Sequence, residues 1–532
     1  MSTTTAPIAR AHARLADARV LWALVGVGAV AAIGVVLWAT RNGAAVSPDS
    51  ATYVAGARNL VAGRGYSDYQ LVSITDWPPG FSITLAIAQE VGITALTAAR
   101  WLNALALGVG VVLTFILARR YVQRPYLALT AALVAGFAPA MVGVFSFVWS
   151  EPIFCVITLG VLLLLERVGA APSARPGPII AVGLLAGIGF SYRYAGMTLV
   201  ALVIVTVAVA CWRSGTASML RRTGGALVAS MVVPVIVMGR NLTHGSLTGQ
   251  RLPSTETVHG VVVSSERFLS GWILAGHHPA TSLGDALIVG VILAMGIGIA
   301  LRVRERGVGS VATRALFPLV AFVVGYALYI AITEFQTVID PPDDRICCPL
   351  LAPAAIVVVV AIDAMLNHRW ARRSPLVASG TFVLLAFWIA AMVHASTTAA
   401  RADGGSGVRF EADGVTTPFW TGSPFIAGLR ALPGDISMFS NQPGGIYLAT
   451  DRQPVFYSGQ PLAVPPIPVP EQTIELKKTI ARQHRPVYIV WSLPNYRPHL
   501  VDPNYLAAHG VRLQRVLTTP QGTIDKVIGL RP

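Results

Sequence analysis

The chain has 532 residues, of which 54% are hydrophobic and only 12% are charged, and its mean hydropathy is +0.63. A soluble globular protein carries about twice this charged fraction, so the composition excludes that class and indicates a polytopic membrane protein. The formal net charge of +15 does not indicate nucleic-acid binding, because the positive residues lie at alternate ends of the apolar segments, as the positive-inside rule requires.

The apolar segments predict the membrane topology. The first one follows a basic patch and is longer than the apolar core of a cleaved signal peptide, about 7–15 residues, so we expect an uncleaved span with its N-terminus in the cytoplasm. Every predicted cytoplasmic loop contains at least two arginines. The eleven apolar segments that we interpret as helical spans have the approximate bounds 20–39, 98–118, 126–144, 152–166, 178–191, 196–212, 224–239, 284–301, 315–333, 349–366 and 376–394.

The loop after the first span, residues 40–97, has a mixed composition. Its stretch "SATYVAGARNLVAGRGYS" predicts a helix up to Gly63, and "DWPPGFSITLAIAQEVG" predicts a second helix that begins at Pro78 and Pro79. The second helix is short for a span, and counting it as one would place the arginine-rich loops outside. We therefore expect it to lie at the membrane surface or to dip into it.

Residues 395–532 lose the membrane composition, and the odd number of spans places them outside. The stretches "GDISMFSN", "RPVYIVWS" and "GVRLQRVL" predict strands, and "EQTIELKKTIARQ" predicts an amphipathic helix. The predicted fold is thus an all-α polytopic membrane domain of about 11 transmembrane helices, residues 1–394, followed by an extracytoplasmic α/β domain, residues 395–532.

Ionisable side chains are almost absent from the apolar cores and gather at the predicted outer ends of the spans. Such groups are costly in a membrane and mark functional sites. A carboxylate there can accept a hydroxyl proton, and arginines offer fixed charge and paired donors to a phosphate. A phosphate beside apolar helices suggests a lipid-linked phosphate, so the set predicts group transfer from a polyprenyl phosphate to an alcohol. The set comprises Asp49, Glu151, Arg193, Arg240, Arg251 and the charged residues from Glu334 to Arg345.

Each of these residues also has a purely structural interpretation. Ser47, Asp49 and Ser50 are all suitable N-caps for the helix that follows. Glu151 could simply mark the end of its span, and the arginines could reach the lipid headgroups. The histidines of the loop 240–283 have no ligand-like spacing, which leaves a divalent metal open and no cofactor certain.

Six stretches, in their order along the chain, resemble motifs of a known superfamily: "DSATYVAGARNLVAGRGYS", "WPPGFSITLAI", "SEPIF", "RYAG", "RNLTHGSLTGQR" and "DRICCPLLAP". The superfamily is GT-C, the integral-membrane glycosyltransferases. Within it the chain looks most like the protein O-mannosyltransferases, the aminoarabinose transferases and the lipopolysaccharide galacturonic acid transferases. It differs from the first group in that Asp49 is followed by Ser50 rather than by a second acid.

The resemblance implies an inverting single displacement that moves a sugar from a polyprenyl-phosphate donor on the non-cytoplasmic face. The catalytic base of the family corresponds to Asp49, and an assisting second acid corresponds to Glu151. Tyr53 and Tyr194 are candidate substrate contacts. The candidate ligands of the donor phosphate are Arg193, Arg240, Arg251 and Arg345.

The predicted partners are the bilayer, the lipid-linked donor and a hydroxyl acceptor of the cell envelope, whether glycan, lipid or protein. The sugar is a hexose or a pentose, with mannose and arabinose as examples, and the expected location is the plasma membrane of a bacterium. Three alternatives remain open from the sequence: a glycan transferase of the O-antigen-ligase type, a polyprenyl-lipid transporter or flippase, and a sensor whose outer domain is a receptor.

Overall fold

The computed structural model describes residues 18–170, 176–249, 253–254, 256–277, 281–337, 342–372, 374–406, 422–456, 469–493 and 500–531. The helices of the membrane part, in chain order, are α1 (Ala18–Ala39), α2 (Pro48–Val61), α3 (Gly80–Glu90), α4 (Ala95–Arg119), α5 (Pro125–Phe137), α6 (Pro139–Phe145), α7 (Glu151–Ala170), α8 (Pro176–Tyr192), α9 (Met197–Cys211), α10 (Thr216–Leu242), α11 (Val258–Ile273), α12 (Thr281–Arg306), α13 (Val311–Gln336), α14 (Asp344–Asn367), α15 (Arg369–Arg372) and α16 (Pro375–Ser406).

Nine helices within the described ranges are long and apolar enough to cross a membrane, and α5 with α6 forms a tenth candidate that is bent by 47°. The bend lies at Pro139, which begins α6 and cannot continue the hydrogen bonding of α5. The protein is therefore a multi-pass membrane protein. All eleven predicted segments fall on helices, but α8 has only 17 residues, at the lower limit for a span.

The loop between α1 and α4 contains the two short helices predicted for it. The first, α2, ends just before Gly63, whose φ of +69° is a left-handed conformation that terminates helices. The second, α3, has 11 residues, too few to span a bilayer. It packs closely on the end of α8, because a Cβ on Gly80 would come 2.5 Å from the backbone oxygen of Ser191.

The C-terminal part is a small α/β domain. Its elements are α17 (Pro424–Ala431), β1 (Ser437–Ser440), α18 (Pro443–Thr450), β2 (Val455–Phe456), α19 (Val469–Ala481), β3 (Val487–Ser492), α20 (Pro503–Ala508), β4 (Val511–Thr519) and β5 (Gly522–Leu530). The sheet has the order β2-β1-β3-β5-β4, in which β1 runs parallel to β2 and β3 while β5 runs antiparallel to β3 and β4. The three predicted strands correspond to β1, β3 and β4, and the predicted amphipathic helix corresponds to α19.

Two apolar cores determine where the site lies. The larger one fills the helix bundle, and it includes side chains such as Phe115, Leu165 and Phe322. The second one is shared, because Tyr53 of α2 and Phe81 of α3 belong to the same buried cluster as residues of the C-terminal domain. The loop between α1 and α4, residues 40–94, thus packs between the bundle and the C-terminal domain. We call it the first outer loop after the topology predicted from the sequence.

Candidate active site

The N-terminus of α2 is capped by serines, which leaves the neighbouring carboxylate available. Ser47 is the N-cap: its Oγ accepts a hydrogen bond from the backbone N–H of Ser50 at 3.4 Å, and its own N–H donates to Ser50 Oγ at 2.9 Å. Pro48 occupies the first helical position, where its missing N–H costs nothing. Of the three capping candidates, Ser47 takes this role, and the Asp49 carboxylate points elsewhere.

Asp49 belongs to a network of two acids and two arginines drawn from four segments. Arg345, at the start of α14, pairs with Asp49 through Nη2 and donates from Nε to Glu151 Oε1 at 2.6 Å. Arg193, between α8 and α9, pairs with the same Glu151 oxygen. Glu151 is fully buried, whereas the Asp49 side chain is 20% exposed. Four of the six charged residues that the sequence assigns to the catalytic and phosphate-binding roles therefore meet in one cluster, with Asp49 at its accessible edge.

An aromatic side chain fixes the arginine that bridges the two acids. The guanidinium carbon of Arg345 lies 4.3 Å from the ring centre of Trp149, a cation–π geometry. The indole N–H of Trp149 donates to Ser47 Oγ at 2.7 Å, which ties this segment to the N-cap of α2. Asn103 of α4 in turn donates from Nδ2 to the Phe147 carbonyl at 2.6 Å. Asn103, which lies within the predicted span 98–118, thus supports the segment that precedes Glu151.

Tyr53 lies one turn after Asp49 and faces the same cluster. Its hydroxyl is 3.1 Å from Ser150 Oγ, and its side chain is almost completely buried. Burial, reinforced by the negative charges of Glu151 and Asp49, raises the pKa of Tyr53 far above its ordinary value. The phenol therefore stays protonated at physiological pH, so it can bind a neighbouring group but cannot act as a base.

Arg240 and Tyr194 form a second group that holds the first outer loop in place. Arg240 donates from Nη2 to the Tyr66 carbonyl at 2.7 Å and stacks over the Tyr66 ring at 5.1 Å. The Tyr194 hydroxyl donates to the Thr75 carbonyl at 2.6 Å and accepts from Asn241 Nδ2 at 2.7 Å. None of these hydrogen bonds goes to Asp49 or Glu151. Their roles toward donor and substrate stay predictions.

Two further points from the sequence are a fourth arginine, Arg251, and the open question of a divalent metal. Arg251 lies outside the described residues, so its predicted contact with the donor phosphate stays a prediction. Within the ranges that the structure describes, no group of three or more His, Cys, Asp or Glu side chains has an arrangement that could hold a metal ion.

Comparison with known proteins gives the architecture a name. No family model and no curated protein sequence matches the chain. Among solved structures, ArnT from Cupriavidus metallidurans bound to undecaprenyl phosphate matches with a TM-score of 0.60 at 14% identity, over 95% of this chain and 98% of that one. The chain has the GT-C fold.

Two other matches share this architecture. The archaeal oligosaccharyltransferase AglB from Archaeoglobus fulgidus, in complex with an inhibitory peptide and a dolichol-phosphate, gives a TM-score of 0.54 at 12% identity, over 96% of this chain and 74% of that one. The arabinofuranosyltransferase AftD from Mycobacteria gives 0.54 at 13% identity, over 94% and 40%. The predicted fold, a GT-C-type helical membrane domain with a C-terminal α/β domain, is confirmed.

The sequence did not indicate several residues that organise the site. Trp149 and Ser150 directly precede Glu151 in "VWSEPIF", but nothing in the pattern shows that one stacks on Arg345 and the other contacts Tyr53. Ser47 is one of three equal capping candidates in the sequence. The only hint in the sequence is that these residues lie close to a predicted functional acid. That hint does not distinguish residues that contact the site from residues that only neighbour it in the sequence.

Proposed function

We propose that this protein is a membrane glycosyltransferase that moves a sugar from a polyprenyl-phosphate donor to a hydroxyl of the cell envelope. The observation that supports it most directly is the bridge made by Arg345 between the partly accessible Asp49 and the buried Glu151. It combines a carboxylate able to take a proton with a cation able to bind phosphate, at the polar end of an apolar helix bundle. The GT-C fold, found in ArnT bound to undecaprenyl phosphate, agrees with this chemistry.

In the proposed reaction the acceptor oxygen attacks the anomeric carbon of the donor sugar from the face opposite the phosphate. The bond between that carbon and the phosphate oxygen breaks, and the polyprenyl phosphate leaves with the electron pair. The proton of the acceptor hydroxyl passes to the Asp49 carboxylate as general base. A single displacement of this kind inverts the configuration at the anomeric carbon.

The two arginines stabilise the leaving group in this proposal. The donor is a phosphodiester with one negative charge, and the departing polyprenyl phosphate gains a further negative charge as the bond breaks. Arg345 and Arg193 provide fixed positive charge where this charge develops, which lowers the barrier. The donor phosphate competes with Asp49 for the Nη edge of Arg345, so donor binding releases the carboxylate for its role as base.

Glu151 is assigned a positioning role rather than a catalytic one. It is fully buried, and one of its oxygens receives both Arg193 and Arg345. A buried carboxylate with two cationic partners has no access to an acceptor proton, but it keeps both guanidinium groups in place and offsets their charge. Tyr53 and Tyr194 remain proposed substrate contacts.

The test is the turnover of Asp49→Asn, measured with a panel of radiolabelled polyprenyl-phosphate hexoses and pentoses in detergent. Asparagine keeps the size of the side chain, and the serine cap of α2 does not involve Asp49, so the fold should survive. We expect at least about a hundredfold loss of turnover with donor binding retained. Asp435→Asn, the same change at a largely exposed acid of the C-terminal domain, serves as the control and should behave like the wild type.

Two results would refute this proposal. If the variant turns over as fast as the wild type, Asp49 is not the base. If the wild type consumes no donor but moves polyprenyl lipid across the bilayer of proteoliposomes, the protein is a transporter.

A further inference from the structure

The C-terminal domain lies directly against the helix that carries Asp49. Its helix α18 crosses α2 at Gly444, and both Gly444 and Ala51 of α2 are buried. A Cβ on Gly444 would come 2.8 Å from Ala51 Cβ and 3.9 Å from Pro48 Cα. The first distance is shorter than side chains tolerate, so only glycine lets the two helices approach this closely.

Aromatic and charged contacts hold the same two segments together farther along α2. Tyr447 of α18 stacks on Tyr69 of the outer loop with ring centres 5.3 Å apart, and the Arg58 guanidinium lies 5.2 Å from the Tyr447 ring. Arg58 also pairs with Asp451 at 2.5 Å, but that carboxylate is 77% exposed. An exposed pair contributes little, so the buried contacts around Gly444 and Tyr447 dominate the junction.

The position of Ala51 relative to Asp49 shows what this junction does. The two residues are two positions apart on a helix of 100° per residue, so they project from nearly opposite sides of α2. Asp49 faces Arg345, and Ala51 faces α18. The C-terminal domain therefore packs against α2 on the side opposite to Asp49.

We propose that Gly444 is a positioning residue for glycosyl transfer, which sets the depth at which α2 presents Asp49 to the acceptor. This inference rests on the proposed function. It gives the C-terminal domain a direct part in the chemistry, because a misplacement of about 1 Å of a catalytic group can cost about a hundredfold in rate. No contact between this domain and the substrate is required.

The first test is Gly444→Ala, with kcat and donor affinity measured separately. The added methyl displaces α2, so we expect kcat to fall at least about tenfold. The donor dissociation constant should stay within about twofold, because Arg193 and Arg345 belong to other segments. Gly434→Ala is the matched control: it lies in the same domain, and a Cβ there meets nothing within 4 Å.

A compensating change tests whether this one contact is responsible. Ala51→Gly removes the methyl that Gly444→Ala would strike, so the double variant should recover a kcat within about threefold of Ala51→Gly alone. In the Asp49→Asn background, Gly444→Ala should cause no further loss of the residual turnover, since it acts through Asp49. If Gly444→Ala instead disturbs the fold in general, the loss of turnover that it causes should multiply the loss caused by Asp49→Asn in the double variant.

The outcomes separate this inference from the proposed function. A folded Gly444→Ala protein with wild-type kcat, or one not rescued by Ala51→Gly, refutes the positioning role even if Asp49→Asn is impaired. Wild-type turnover of Asp49→Asn refutes the proposed function itself. If Gly444→Ala does not fold, Tyr447→Leu decides, because it loosens the same junction without adding volume. It must lower kcat at unchanged donor affinity, and a wild-type kcat overturns the inference.

Discussion

At the scale of single residues, the site depends on the shape of one guanidinium group. Arg345 contacts Asp49 through Nη2, Glu151 through Nε and the face of Trp149 through its flat surface. A planar fork of donors can make these three contacts at once, whereas an ammonium group is a compact point charge. Together with Arg193, it balances two acids in a largely buried cluster, which is the condition for keeping such charges ionised.

Arg345→Lys should therefore lower both donor affinity and turnover, although the charge is retained. A lysine can reach one carboxylate but cannot bridge two and stack on the indole, so the donor phosphate loses a preorganised partner. We expect the donor dissociation constant to rise at least about tenfold, as measured by equilibrium binding of a radiolabelled donor. Arg64→Lys, at an exposed arginine of the loop between α1 and α4, should leave the donor dissociation constant unchanged. Equal affinity in the two variants would contradict the assignment of Arg345 to the phosphate.

At the scale of helices, the short apolar helix α8 packs very closely on α10. Two glycines of α8, one turn apart, face α10: a Cβ on Gly187 would lie 2.7 Å from the Ser230 carbonyl oxygen, and one on Gly183 would lie 2.9 Å from Ala229 Cβ. Small residues at this spacing let membrane helices approach until their backbones touch. Because α8 ends immediately before Arg193, this packing also fixes where that arginine enters the site.

Gly187→Val should destabilise the protein by forcing α8 away from α10. Overpacking of this kind costs about 1–3 kcal/mol, which should appear as a lower midpoint of thermal unfolding in detergent. Gly177→Val lies in the same helix at a position where a Cβ meets nothing within 4 Å, and its midpoint should remain at the wild-type value. If both variants have the same midpoint of thermal unfolding as the wild type, the close approach of α8 and α10 is not needed for stability.

At the scale of the whole molecule, the sequence was informative about composition and periodicity but not about pairing. Hydropathy located every helix of the described residues that is long and apolar enough to cross a membrane, because lipid-facing and buried positions are both apolar. Strand β5 was missed, since its stretch "GTIDKVIGL" lacks the alternation of a half-buried strand and its burial is correspondingly irregular. Arg345 contacts Glu151 and Asp49, which precede it in the sequence by 194 and 296 positions. These contacts depend on tertiary packing, which no local sequence pattern records.

The Gly444 junction illustrates the same limit. In the sequence, a glycine before an apolar run predicts a turn or a helix boundary. Only the crossing of α18 over α2 shows that the absence of a side chain at Gly444 allows the close approach of the two helices. Counting the spans is enough to predict that the outer charges lie at one membrane face. It does not predict which of them are in contact. Arg193 and Arg345 pair with the acids, whereas Arg240 donates to a carbonyl of the first outer loop.

The orientation of the molecule can be tested without deciding how many spans precede α12. The arginine-rich loop after α12 is the connection to α13 together with the arginines of the adjoining helix ends, Arg304, Arg306 and Arg314. Three candidate spans, α13, α14 and α16, lie between this loop and the C-terminal domain. An odd number of crossings places that loop and the domain on opposite faces, whatever the status of α8 or the bent pair α5–α6. The positive-inside rule puts the arginine-rich loop in the cytoplasm, so we expect the C-terminal domain and the network packed against it to face outward.

Cysteine labelling checks this arrangement, because all four native cysteines are buried and give little background. Val308→Cys lies in the arginine-rich loop and Ile474→Cys in α19, at side chains that are 77% and 53% exposed. In intact cells, an impermeant maleimide should label Ile474→Cys, and Val308→Cys should react only after permeabilisation. The reverse pattern would invert the molecule and place the site on the cytoplasmic face. Labelling of both in intact cells would mean that one of the last three apolar helices does not cross the membrane.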